Sequence, residues 1–306
     1  MRIQRTIVLG AVALAACGGG GGSGARGEIT VDGSSTVYPI TEAMAEEFGV
    51  ETGGGVSVTV AYSGTGGGFK RFCAGETDIS NASRVISESE KQLCAAAGVE
   101  YMEIPVAIDG LTLVVHPSND FVQCLTVAEV KRVWEPRSTI KRWSEVRNGF
   151  PDQQLTLYGA GTNSGTFDYF TEAVMGQVGA IRDDFTASED DNVLVQGVSG
   201  DANAFGFFGY AYFAENQDRL KSVAVDNGNG CISPTPETIL GGTYTPLSRP
   251  LFIYVRRASL EQPAVREFVT FYLTHAEELV PQVGYVPFPS VTYQENLSAL
   301  ESGAGT

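Results

Sequence analysis

Asp32-Gly33-Ser34-Ser35-Thr36-Val37-Tyr38-Pro39 joins two kinds of sequence. Before it, Ile29-Thr30-Val31 is a short β-branched run that reads as a strand. After it, Ile40, Met44 and Phe48 recur at four-residue spacing, as on one face of a helix. Pro39 suits the first turn of that helix, and Ser35 or Thr36 suits its cap. The octapeptide is therefore a strand-to-helix junction built from glycine and hydroxyl residues.

The same junction recurs. Val56, Val58, Val60 and Tyr62 alternate with polar or small residues, and Ser63-Gly64-Thr65-Gly66-Gly67-Gly68 then leads into a helix holding Phe69, Phe72 and Cys73. Leu155-Thr156-Leu157-Tyr158 runs into Gly159-Ala160-Gly161-Thr162-Asn163-Ser164-Gly165-Thr166, followed by a helix with Phe167, Phe170 and Val174. Asp78-Ile79-Ser80-Asn81-Ala82-Ser83-Arg84 is a further strand end entering a polar loop. Strands are also expected over 111–115, within 204–212 and over 251–255. Thr126 with Glu129 predicts a capping box, and Pro263 opens a last long helix through Phe268, Phe271 and Leu279. Strands alternating with helices argue an α/β fold.

Each helix start leaves backbone N–H groups unpaired and carries the positive end of the helix dipole. Hydroxyls add further donors. Such an end accepts an anion without any lysine, and three converging ends suit a compact tetrahedral anion. Nucleotide motifs fail: residues 64–70 lack both the P-loop spacing and the final glycine spacing of a dinucleotide fingerprint. Ser164 lies in Gly-Thr-Asn-Ser-Gly, which is not a nucleophile elbow, and His116 and His275 read as ordinary surface or strand-end residues. Glu189-Asp190-Asp191 lacks the spacing of a calcium loop, and the cysteine spacings are too wide for zinc. No catalytic residue, cofactor or metal is expected.

With 306 residues and 43% hydrophobic content, the chain can bury one large core or two lobes. A net charge of −16 argues against nucleic acid and anionic lipid as partners. It does not argue against a small anion, because charges beyond about 8–10 Å are largely screened. Arg2 and Arg5 precede an apolar stretch over 7–16 that is too short to span a bilayer, the pattern of a signal peptide over 1–16. Leu14-Ala15-Ala16-Cys17 resembles a bacterial lipobox, which implies cleavage before Cys17 and lipidation of its thiol. The Gly/Ser/Ala-rich stretch that follows, through 27, is a flexible tether. Cys73, Cys94, Cys124 and Cys231 then form an even set in an exported chain, suggesting two disulfides. Three pairings are possible. Cys73–Cys94, closing a short loop, and Cys124–Cys231, within one lobe, are preferred.

Taken in order, Asp32 to Pro39, Ser63 to Gly68, Asp78 to Arg84, Gly161 to Phe167 and Gly206-Phe-Phe-Gly-Tyr210 resemble the PstS family, the substrate-binding proteins of bacterial ABC-type phosphate transporters. The resemblance covers nearly all of the chain after the tether. It implies a type-II periplasmic binding fold: two α/β lobes, two crossover segments and a central cleft. Residues 28–107 plus 249–306 would form lobe one and 108–248 lobe two. It further implies inorganic phosphate as ligand, permease subunits as partners and a monomeric protein held at the membrane by its lipid alone, in the periplasm or on the outer cell face. Carried over by position, Ser35, Thr36 and Val37, then Ser63, Thr65 and Gly67, then Ser164, Gly165 and Thr166 would bind the anion.

Two family positions differ. Many members carry an acidic residue where this chain has Arg84, and an arginine before the Ser-Gly-Thr loop, where this chain has Ala160-Gly161-Thr162. Arg84 is therefore the candidate cation. Asp109 is the candidate acceptor for the proton that phosphate keeps near neutral pH and sulfate lacks, with Asp168 next. The alternatives are a receptor for sulfate, molybdate or tungstate, an anchored phosphate-ester hydrolase, or a surface sensor or adhesin.

Overall fold

The computed structural model describes residues 26–162, 164–188 and 190–302. The expected signal peptide, Cys17, most of the tether, Asn163 and Glu189 lie outside them.

Strands β1 (Gly27–Gly33), β2 (Val56–Val60) and β3 (Ile79–Ala82) alternate with helices α1 (Tyr38–Glu51), α2 (Thr65–Cys73) and α3 (Glu88–Ala96). The long β4 (Tyr101–Val115) then leaves this half of the molecule. The other half holds β5 (Cys124–Thr126), α4 (Val127–Trp134), α5 (Trp143–Val146), β6 (Thr156–Ala160), α6 (Gly165–Phe170), β7 (Thr186–Ser188), α7 (Asp191–Gly200) and β8 (Ala204–Gly209). It closes with α8 (Tyr210–Glu215), β9 (Lys221–Ser222), β10 (Ala224–Asp226), β11 (Cys231–Ile232) and α9 (Pro236–Leu240). β12 (Ser248–Arg256) returns to the first half, which ends in α10 (Pro263–Gln282) and α11 (Ser290–Ser302). Pro263 does open a long helix, but α11 follows it, so α10 is not the last.

Among the described residues the main sheet runs β2-β1-β3-β12-β4-β8-β6-β7. β1, β2 and β3 are parallel, as are β6, β7 and β8. β4 and β12 pair antiparallel from Ser248 opposite Gly110 to Arg256 opposite Tyr101. The two crossings between halves thus lie side by side at the centre of the sheet. The two largest buried clusters divide there: one spans Ile108 to Leu247, and the other takes Ile29 to Ala107 together with Leu251 to Leu300. This is a two-lobed periplasmic-binding-protein fold with a cleft between separately cored lobes.

The cores fix the helices that face the cleft. In lobe two Trp134 is fully buried against Phe170, Phe205 and Phe207, and Phe170 stacks on Phe207 at 3.9 Å. Each such side chain contributes on the order of 2–3 kcal/mol on burial. Phe170 ends α6, so the start of α6 is held by its far end. In lobe one α2 lies so close to β1 that a methyl on Gly68 would meet Gly33 Cα at 2.5 Å. Cys73–Cys94 ties α2 to α3, and Cys124–Cys231 ties β5 to β11, as preferred from sequence. Thr126 and Glu129 form the expected capping box.

Two local expectations fail. α1 is entered through Val37, with no side-chain cap, so neither Ser35 nor Thr36 caps it. α2 begins at Thr65, so Thr65, Gly66 and Gly67 form its first turn and are not loop.

Candidate binding site

The cleft is lined by the junctions that carry the glycines and hydroxyls. Freed from capping, Ser35 Oγ donates across the cleft to Asp168 Oδ2 at 3.2 Å, and Thr36 Oγ1 accepts from Arg249 Nη2 at 3.1 Å. Ser164 caps α6, its hydroxyl accepting the Thr166 N–H at 3.2 Å. At Gly165 the lobes approach closely, since a methyl there would meet Thr36 Cα at 2.7 Å. Two cavities flank this contact and share Ser35. The larger, about 660 Å³, takes in Thr36, Thr65, Ser83, Arg84, Asp168 and Arg249. The smaller, about 410 Å³, takes in Ser164, Gly165, Thr166 and Asp109.

Arg249, at the start of β12, is the electrostatic centre. Its Nε lies 3.5 Å from Asp109 Oδ2, and Nη1 is 3.2 Å from Glu172 Oε2. Its guanidinium carbon sits 3.8 Å from the centre of the Tyr169 ring, whose hydroxyl is fixed by the Pro246 carbonyl at 2.8 Å. A guanidinium over an aromatic face and beside carboxylates is held in place while its outer N–H groups stay usable. Asp109 is 2% exposed, and Oδ2 has no hydrogen bond despite the nearby charge. Burial pushes its carboxyl up to about 6 against the pull of Arg249. A buried oxygen without a donor is costly, and a ligand that brings a proton to it would relieve that cost. Burial also raises Asp168, opposed by the bond from Ser35.

The site thus offers hydroxyls, helix starts, a held arginine and a buried proton acceptor. Among the described residues no group of three or more His, Cys, Asp or Glu could hold a metal ion.

Comparison with known proteins agrees with this architecture. A family model described as a PBP superfamily domain matches residues 19–276. The chain is 38% identical to the phosphate-binding protein PstS of Staphylococcus haemolyticus, over 97% of this chain and 95% of that one. The chain belongs to the PstS family. It is also 50% identical to protein SphX of Synechocystis sp., over 90% of this chain and 82% of that one. Among solved structures, a possible phosphate binding protein from Planctomyces limnophilus is 50% identical, with a TM-score of 0.86, covering 92% of this chain and 99% of that one.

Within this PstS-family chain the residues expected from sequence do not all meet. Ser35, Thr36, Thr65, Arg84, Asp109, Ser164, Gly165 and Thr166 line one or other cavity. The Val37 side chain is in the lobe-one core, which leaves only its backbone to serve the cleft. Ser63 and Gly67 line neither cavity. Ser63 Oγ donates to buried Asp32 at 3.0 Å, where Arg71 also binds at 2.7 Å, and Gly67 leaves room for the Ser63 side chain, 2.6 Å from where a methyl would stand. That glycine-rich turn therefore joins α2 to β1, with Thr65 facing the cleft.

Arg84 is at the rim, its side chain 45% exposed, in a two-pronged ion pair with Glu90 at 2.8 and 2.9 Å. Partial burial works to raise the Glu90 carboxyl, but bonds from Arg84 and Ser87 hold it down at about 2. Arg84 is spent on a rim pair within lobe one, whereas Arg249, though paired with Asp109 and Glu172, is 16% exposed and reaches the first junction directly. Sequence reading passed over Arg249. Its signal was faint: an arginine beside Pro250, just before an apolar strand.

Proposed function

We propose that this chain is an extracytoplasmic lipoprotein that binds inorganic phosphate between its lobes and delivers it to an ABC-type import permease. The observation that carries the ligand is the pair formed by Arg249 and Asp109 in the cleft. Arg249 supplies a held cation, and Asp109 an acceptor lacking a donor. Phosphate fits both, because it carries negative charge and still holds a proton near neutral pH. Sulfate fits only the first, since an ionised carboxylate repels an anion with no proton to give. Ser35, Thr36 and the Val37 N–H would meet the anion from lobe one with Thr65. Ser164, Gly165 and Thr166 at the start of α6 would meet it from lobe two. Arg249 takes the role assigned from sequence to Arg84, with Arg84 a rim charge.

The names of the relatives support the same ligand, and their family is one of substrate-binding proteins. Taking 28–107 with 249–306 as one lobe and 108–248 as the other, closure brings Ser35 to Asp168 and gives a permease a loaded shape to recognise. Lipid attachment rests on the Leu-Ala-Ala-Cys17 ending, and Cys17→Ser should move the protein from the membrane to the soluble fraction. The ligand is tested by calorimetry with phosphate and sulfate at neutral pH. Phosphate should bind and sulfate should bind far more weakly. Equal binding would favour a general oxyanion receptor.

A further inference from the structure

Asp109 has a strand neighbour on each side. Arg249 stands opposite it on β12. On the other side, the segment between α10 and α11 meets β4 at an isolated antiparallel bridge. There the Ile108 N–H donates to the Val286 carbonyl at 2.7 Å, and the Val286 N–H donates to the Ile108 carbonyl at 3.0 Å. Antiparallel register then sets Tyr285 opposite Asp109, in the kind of pair that exchanges no backbone hydrogen bonds and brings its Cβ atoms within about 4.5–5.5 Å. Arg249, Asp109 and Tyr285 thus form one cross-strand row on the same face of the sheet. Tyr285 lines the smaller cavity together with Asp109 and the Ser164-Gly165-Thr166 turn. Its backbone is fixed on both sides: its N–H bonds the Val280 carbonyl at 3.2 Å, and Gly284 before it lies where a methyl would meet Tyr212 Cε2 of lobe two at 3.0 Å.

Tyr285 is 9% exposed, and among the described residues its hydroxyl has no hydrogen-bond partner. Burial, and then the charge of Asp109, push that hydroxyl well above its ordinary range, so it stays a donor through neutral pH. Beside it, Asp109 Oδ2 is an acceptor that also lacks a hydrogen bond. A buried donor and a buried acceptor left open side by side carry a cost that a ligand can relieve. We propose that Tyr285 is a further residue of the anion site, its hydroxyl donating to an unprotonated oxygen of the bound anion. This rests on the phosphate reading above and adds to it a donor from the third segment at the lobe crossing. Asp109 only accepts, so it tells a protonated anion from a bare one; Tyr285 donates, so it serves either.

The test is calorimetry with phosphate and sulfate on the wild type, Tyr285→Phe and Tyr212→Phe, with thermal unfolding of each in the absence of ligand. Phenylalanine keeps the ring and removes only the hydroxyl. Tyr212 lines the same cavity, but the charges nearest it are Asp191, Asp190 and Glu215. Tyr285→Phe should lower phosphate affinity at least about tenfold, the scale of one hydrogen bond to a charged group. Its ligand-free unfolding temperature should hold or rise, because the lost hydroxyl leaves no partner behind. Tyr212→Phe should leave phosphate affinity unchanged. Wild-type phosphate affinity in Tyr285→Phe would overturn the inference and leave the phosphate reading standing. A loss of affinity that comes with a lower unfolding temperature would overturn it as well, marking a packing role, as would an equal loss in Tyr212→Phe. If the wild type binds sulfate as tightly as phosphate and Tyr285→Phe weakens both about tenfold, the choice of phosphate falls and the role of Tyr285 stands.

Discussion

Arg249 and Asp109 stand directly opposite each other on β12 and β4, the two strands that connect the lobes, with Nε 3.5 Å from Oδ2. The charge pair of the cleft is thus built into the crossing itself. The same arginine touches Thr36 of lobe one and Glu172 and Tyr169 of lobe two. Charge placed here by a ligand acts on the crossing strands and both lobes at once.

Arg249→Gln should weaken phosphate binding by on the order of 100-fold or more, because it removes the cation and strands Asp109 as a lone buried charge. Arg249→Lys should recover part of the loss, since it keeps the charge without the planar fork. Arg84→Gln should cost no more than about fivefold, the range of an exposed ion pair. Calorimetry on the three variants checks the order, with circular dichroism confirming that each is folded.

Asp109 sets an expected pH dependence. Its carboxyl is raised to about 6, so it is ionised at pH 8 and protonated at pH 5. Ionised, it repels sulfate; protonated, it can donate to it. Sulfate affinity of the wild type should therefore rise as pH falls from 8 to 5. Asp109→Asn, a donor throughout, should bind sulfate better than wild type at pH 8 and vary little with pH. Sulfate titrations at the two pH values read this out.

Glu172→Gln should strengthen phosphate binding by about two- to fivefold. The Glu172 carboxylate bonds Arg249 Nη1 at 3.2 Å and is 56% exposed, so it competes for the guanidinium without being part of a core. Its removal also takes a negative charge from the wall of the larger cavity.

Gly165→Ala should lower phosphate affinity by roughly 5- to 150-fold, the equivalent of a 1–3 kcal/mol overpacking cost. Its methyl would collide with Thr36 Cα at 2.7 Å and hold the lobes apart. Thermal unfolding of the ligand-free protein should change little, because the clash lies between lobes and outside either core. Gly200→Ala, where a methyl meets nothing within 4 Å, is the matched control.

What could be read beforehand depended on how local the determinant was. The strand–junction–helix repeats and the Thr126–Glu129 box follow from short-range pattern, and counting cysteines gives two disulfides while leaving three pairings open; the repeats, the box and the preferred pairing all appear in the structure. The Ser35 and Thr36 hydroxyls were misassigned as caps because composition cannot tell a hydroxyl turned toward its own helix from one turned across a cleft. Their partners, Asp168 and Arg249, are 133 and 213 residues away. Arg249 was missed for the same reason: its pairing with Asp109 depends on the register of two distant strands. The partner of Arg84 was nearer at hand. Ser87 with Glu90 forms a capping box, and the same glutamate holds Arg84 six residues back.

The most direct test is a crystal structure of the protein grown with phosphate. The account predicts one phosphate between the lobes, with an Arg249 guanidinium nitrogen and an Asp109 carboxylate oxygen both within hydrogen-bonding distance of its oxygens, and Arg84 still paired with Glu90. A phosphate held by Arg84, with Arg249 and Asp109 bonded only to protein, would contradict it.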